Sequence, residues 1–312
     1  IAAGSVSYDT SKGEFNSSSV LNDEDDETCI GKLQSPIDIE ENNVAPASYP
    51  DLEFSGLQTP HKALIMNNDI DEEMNDHSHR LISGASLNST YVFEQLHFHW
   101  GDNDSLGSED LINNHSFSME MHAVFWKKAY GTYDEAIKHD DGLSVLGYWY
   151  QVYKYQILTI IYCYQILEIR KAGSNEVLRD SGVLSKLIAP DLASAQDYFT
   201  YKGSLTTPPC LEIVQWIDFA KPQHISHEQL AAFRSIQSFE GDDVTHNFRP
   251  VQPLDGRTVY RNVLLSMIFI SNLNKNGNKY FYFRARAITR ILPFNSRDIL
   301  NNVHKYLKKF YH

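Results

Sequence analysis

No window of this 312-residue sequence approaches the roughly 20 apolar residues that a membrane-spanning helix needs; the apolar run nearest its end, residues 264–270, is far shorter. No transmembrane segment is therefore expected. Positive charge is scarce as well: 27 Lys and Arg stand against 40 Asp and Glu, a formal net charge of −13. Phosphate recognition needs clustered Lys and Arg, so this deficit excludes nucleic acid as a partner. Cysteine occurs only at positions 29, 163 and 210. The sequence shows neither an initiator Met nor a signal peptide and reads as a processed or truncated product. Its length suits one large domain with a substantial core, or two small ones.

What is present is alternation. Residues 91–100, YVFEQLHFHW, read as a strand in which alternate side chains share a face: Gln95, His97 and His99 on one, Leu96, Phe98 and Trp100 on the other. Residues 118–125, SMEMHAVF, alternate in the same way and group Glu120, His122 and Val124. An H-x-H pair alone is equally a polar strand face. A third imidazole on a neighbouring strand, with a carboxylate two residues before it, is more specific, because three neutral histidines make a catalytic zinc set with a fourth tetrahedral position for water.

Further motifs surround these strands in a long, ordered series: QSPIDIE at 34–40, QLHFHWG at 95–101, GSE at 107–109, MEMHAV at 119–124, DGLSVLG at 141–147, GSLTTPPC at 203–210, VQWI at 214–217 and NFRPVQPL at 247–254. The series resembles the α-class carbonic anhydrases, of the extracellular type, over most of residues 29–262. The resemblance implies a mainly β fold with short surface helices and one large, twisted, mostly antiparallel sheet of about ten strands. It implies reversible hydration of carbon dioxide to bicarbonate and a proton by hydroxide on Zn²⁺. The metal ligands would be His97, His99 and His122; these enzymes are themselves the reference case for a three-histidine zinc site. Thr206 matches the threonine that accepts a hydrogen bond from the hydroxide and donates its own proton to Glu109. Thr207 would contact bicarbonate, and Gln95 and Glu120 would hold the His97 and His122 rings. Val124, Val145, Leu205, Val214 and Trp216 match an apolar wall for CO₂. A non-catalytic binding or matrix module is the rival; such relatives lose a zinc histidine, and here all three are kept.

The resemblance also pairs Cys29 with Cys210 in a disulfide, which implies an oxidising, extracellular setting, secreted or at the cell surface. Sequons at Asn16, Asn88, Asn103 and Asn114 are compatible with glycosylation. A monomer or a dimer is expected. One position departs from the family: Asn67 and Asn68 match the asparagines before the proton-shuttle histidine, but Ile70 stands where that histidine belongs, with His77 and His79 as substitutes.

Three domains of sequence follow. Residues 1–28 are polar and acidic and read as a solvated or disordered segment. Residues 29–263 carry the motifs, with a short helical turn at 133–138, a second helix at 166–171 and an atypical Tyr- and Ile-rich insertion at 153–163 that is an edge liability. Residues 264–312 hold a net +8, leaving −21 for the rest, and are foreign to it in composition. The insertion and tail read as translated non-coding sequence or splice products, which transcript sequencing tests, or the tail as a basic arm.

Overall fold

The computed structural model describes residues 2–3, 7–9, 14–16, 29–57, 63–67, 80–153, 169–178, 187–188, 194–262, 267–273 and 279–285. The chain divides into two compact units, Ile1–Asn262 and Val263–His312.

The first unit is built on an 11-stranded sheet. Its order is Ala45–Ala47, Tyr260–Asn262, Tyr198–Gly203, Val214–Phe219, Leu143–Val152, Met119–Lys127, Tyr91–Trp100, Leu81–Ser83 and Glu53–Ser55, with Ala2–Ala3 and Gln223–Ile225 pairing off this path. Antiparallel pairings predominate, but Leu143–Val152 runs parallel to Val214–Phe219 and to Gln223–Ile225, and Tyr260–Asn262 runs parallel to Ala45–Ala47. Within residues 1–28, expected to lack structure, Ser7–Asp9 pairs antiparallel with Glu14–Asn16, and Ala2–Ala3 runs parallel to His97 and Phe98.

Alternation sorts side chains onto the two faces. Leu96, Phe98, Trp100, Met119, Met121, Ala123, Phe125, Leu146 and Tyr148 enter one apolar cluster. Val124, Val145, Trp149, Val214 and Trp216 enter another, together with Ile37 and Ile39. Each fully buried large apolar side chain contributes about 1.5–3 kcal/mol, so these clusters dominate the stability of the unit. A bulge interrupts the ladder: Val124 faces Gln95, but Phe125 faces Phe93. Glu94 is the extra residue, and the strand's parity changes there, so that Tyr91 and Phe93 share a face with Leu96, Phe98 and Trp100.

Among the described residues the α-helices are short. Tyr133–Ala136 falls in the expected helical turn, with the Thr132 side chain accepting the Glu135 amide. His227–Arg234 opens with a capping box between Ser226 and Gln229. The helix expected at 166–171 is not present over 169–171, because the Arg170 carbonyl accepts from the Gln237 amide and from Asn67 Nδ2 and is turned outward. Residues 166–168, Cys163 and all but Tyr153 of the expected insertion lie outside the described residues. In the second unit Met267–Leu273 pairs antiparallel with Lys279–Ala285.

Candidate active site and metal centre

Adjacent strands bring the three histidines together: His122 lies opposite His97 in the ladder, and His99 follows two residues along. Their ring centroids are 4.6–5.2 Å apart. Each ring has one nitrogen against a fixed acceptor. His97 Nδ1 lies 2.9 Å from Gln95 Oε1, His99 Nδ1 is 2.8 Å from the Asn247 carbonyl, and His122 Nε2 is 2.8 Å from Glu120 Oε1. The Gln95 and Asn247 oxygens only accept, so His97 Nδ1 and His99 Nδ1 each carry a proton there, and His122 Nε2 faces the Glu120 carboxyl. Burial, and then the neighbouring imidazoles, hold His97 and His122 well below the usual histidine range, so both rings are neutral.

The opposite nitrogens converge. His99 Nε2 and His122 Nδ1 stand 3.2 Å apart, and Glu109 Oε2 faces them at 3.4 and 3.8 Å. Glu109 is buried, and desolvation raises its pKa, while His99, the Arg249 amide and the Thr206 hydroxyl oppose that rise. Glu109 Oε1 accepts the Arg249 amide at 2.7 Å. Thr206 is near enough to favour the charged carboxylate, although the geometry at Oε2 falls short of a formed hydrogen bond.

The sheet also sets the wall beside these rings. Val124, Val145 and Trp216 are consecutive partners across three strands, and the Trp216 ring meets His122 edge-on at 4.8 Å. Val214 is buried in the same cluster and half-buried Leu205 packs on it; Thr206 is buried, and Thr207 beside it is exposed. Cys29 and Cys210 are bonded across 181 residues of chain. The Cys210 amide donates to the Thr207 carbonyl, so the bridge ties the threonine turn to the segment before Gln34, whose Nε2 donates to the Cys210 carbonyl.

A sequence model of the eukaryotic-type carbonic anhydrases matches residues 22–263. The chain belongs to this family. Human carbonic anhydrase 7 is 35% identical over 239 residues, 73% of this chain and 88% of the relative. The mouse protein of that name is 34% identical over 245 residues, with the same shares, and rat mitochondrial carbonic anhydrase 5A is 36% identical over 185 residues, 57% of this chain and 59% of its own. The family's enzymes are carbonate dehydratases, and the present chain carries their histidine triad in a form that can hold a metal ion, with ligand atoms within 4.8 Å of one another. The fit is chemical as well as spatial: three imidazoles, each ring held from its outer side, are a donor set for a borderline cation such as Zn²⁺.

Sequence reasoning missed two groups here. Asn247 is the hub of the strand end: besides taking the His99 proton on its carbonyl, its Oδ1 accepts the Trp100 amide at 2.7 Å and its Nδ2 donates to the Phe98 carbonyl at 2.9 Å. It lies in the NFRPVQPL motif, which was assigned no role. Asp110 and Asp218, buried behind Glu120, gave no sequence signal, since an acid beside Glu109 or a lone acid in the strand Val214–Phe219 reads as solvated. Ile70, His77 and His79 lie outside the described residues.

Proposed function

We propose that this chain catalyses the reversible hydration of carbon dioxide to bicarbonate and a proton, with Zn²⁺ held by His97 Nε2, His99 Nε2 and His122 Nδ1. The observation that carries this is the convergence of three imidazole nitrogens within 4.8 Å of one another beside the buried Glu109. Zn²⁺ supplies a Lewis acid that brings the ionisation of water to about pH 7, a value for which carbonic anhydrase is itself the reference case. Glu109 accepts the Thr206 proton, which turns the Thr206 lone pairs toward the reaction centre and admits only a group that carries a proton. Val124, Val145, Val214, Trp216 and Leu205 offer CO₂ an apolar surface that excludes water, and Thr207 meets the bicarbonate as it leaves. Gln95 and Glu120 keep the protons of His97 and His122 on the outer nitrogens.

The disulfide supports an extracellular site of action, and Asn88, Asn103 and Asn114, all exposed, are open to glycosylation there. Glycopeptide mapping of secreted material tests this; material with free Cys29 and Cys210 in the cell contradicts it.

With Ile70 in place of the shuttle histidine, proton export limits turnover. Stopped-flow CO₂ hydration on the purified chain is expected to rise steeply with small imidazole buffers. Turnover that is fast and indifferent to buffer contradicts the missing shuttle, and no hydration at any buffer concentration contradicts the enzyme reading.

A further inference from the structure

Behind the histidine triad, Asp110, Glu120 and Asp218 bring carboxylate oxygens within 4.8 Å of one another, with Asp110, Glu120 and Asp218 each 0% exposed. Two of the three are hydrogen-bonded. Glu120 Oε2 accepts the amides of Glu109 and Asp110 at 2.9 and 3.0 Å, and its Oε1 accepts the His122 proton. Asp110 Oδ1 accepts the Ile37 amide at 2.6 Å, and the Tyr201 hydroxyl lies 3.2 and 3.3 Å from its two oxygens. Asp218 has nothing of the kind: both of its oxygens are buried without a hydrogen-bond partner among the described residues.

The backbone makes room for this arrangement. Gly147 lies between His122 and Asp218 in the ladder, and a Cβ added there would meet Asp218 Oδ1 at 2.3 Å and Glu120 Oε1 at 3.4 Å. Any side chain at 147 would fill the space into which Asp218 points. A buried carboxylate without a donor calls for a counter-charge, a cation or a proton, and leaving a buried charge unpaired is among the costliest of single changes. Arg257 acts on Asp110, but its own hydrogen bonds go to the carbonyls of Gln34, Lys202, Pro253 and Leu254.

We propose that Asp110, Glu120 and Asp218 bind a second, hard divalent cation of the Ca²⁺ or Mg²⁺ class, separate from the histidine site. Oxygen-only donors select such ions, whereas the imidazole triad suits zinc. Ca²⁺ binds oxygen at about 2.3–2.6 Å, so ligands on opposite sides of it stand up to about 5 Å apart, which matches the spread of this cluster. Asp218 contributes both oxygens, and Glu120 contributes the Oε1 lone pair that His122 does not use. The ion neutralises the carboxylates that Glu120 shares with the back of the zinc site, and its burial makes it a structural ion that exchanges slowly. Protons are the competing counter-charge, since burial pushes Glu120 and Asp218 well above the carboxylate range and Asp110 to about 7.

Elemental analysis of the purified full chain, dialysed against metal-free buffer, decides between them. The expected result is zinc near one equivalent per chain and calcium or magnesium near another, with Asp218→Asn keeping the zinc and losing the second ion. In the unaltered chain, added CaCl₂, MgCl₂ or MnCl₂ should raise Tm, and in Asp218→Asn it should not. A hard cation present without zinc supports this site while contradicting the histidine reading. Zinc alone, with Tm indifferent to all three salts, overturns the proposal and leaves the cluster to protons; a second equivalent that is also zinc overturns it too. The metal content of the unaltered chain is decisive by itself, whether or not Asp218→Asn folds.

Discussion

Two clusters of buried ionisable groups sit back to back across Glu120, and they are built on opposite terms. In the histidine cluster every ring has its outer nitrogen paired, so the inner nitrogens are oriented toward one another. In the carboxylate cluster Asp218 has no hydrogen-bond partner among the described residues, and acids lie beside it. The first is pre-organised to hold a cation by hydrogen bonds around its rim. The second calls for one at Asp218, where the donors that hold Asp110 and Glu120 are lacking among the described residues. Glu120 belongs to both, which couples the neutral donors on one side to negative charge on the other.

The largest effect separates the two sides. His99→Ala removes a ligand rather than an outer partner, so its effect should exceed the 10- to 100-fold loss usual for outer partners: CO₂ hydration at background and no zinc by elemental analysis. The chain should still give a folded circular dichroism spectrum, because the apolar clusters on both faces remain.

The disulfide lies on the histidine side next to the turn that carries Thr206, and it anchors the segment whose Ile37 amide donates to Asp110. In the chain-entropy account a loop of 181 residues contributes on the order of 5 kcal/mol, and native bridges typically contribute 2–5. Cys29→Ser should therefore lower stability by about 2–5 kcal/mol in urea unfolding while bound zinc stays near one equivalent; loss of zinc along with stability would mean that the bridge supports the triad itself.

Glu120→Ala tests the coupling. It strips the acceptor from His122 Nε2 and from the amides of Glu109 and Asp110 at once. Zinc affinity should fall about 10- to 100-fold by competition with a chelator. An unchanged affinity would show that Glu120 answers to the carboxylate side only.

The smallest effect comes from a carboxylate with every partner that Asp218 lacks. Burial alone would raise Asp141, but hydrogen bonds from Lys127, Asn88 and Tyr130 hold it well below the carboxylate range. A depressed folded pKa contributes stability that is full above the unfolded value of about 3.9 and is lost as pH falls through the folded one. Asp141→Asn should cost about 1 kcal/mol at pH 7, and the gap from the unaltered chain should close as pH drops below about 4. A gap that widens in acid contradicts this sign.

How much of this the sequence discloses depends on whether a residue's environment follows from its own strand. The triad was legible because period-two alternation fixes the face of His97, His99 and His122, and the neighbouring strand supplies the third ring. Gln95 follows the same alternation; what nothing in YVFEQLHFHW marks is the bulge at Glu94, which turns Tyr91 and Phe93 to the face of Leu96 and Phe98. Helix His227–Arg234 did carry a signal, the Ser226 and Gln229 capping box, that the reading passed over. Asp218 was beyond reach: its burial depends on which strand lies beside Leu143–Val152, a parallel pairing set by distant parts of the chain. The expected shuttle substitutes, His77 and His79, fall where the structure describes nothing.

The central claim is that His97, His99 and His122 hold zinc for CO₂ hydration. Its most direct test is to follow bound zinc and stopped-flow CO₂ hydration together as a chelator strips the purified chain and zinc is returned. The account predicts about one zinc per chain, with activity lost and regained in proportion to it. Full activity in the zinc-free chain, or zinc bound at the triad with no hydration in any buffer, would contradict it.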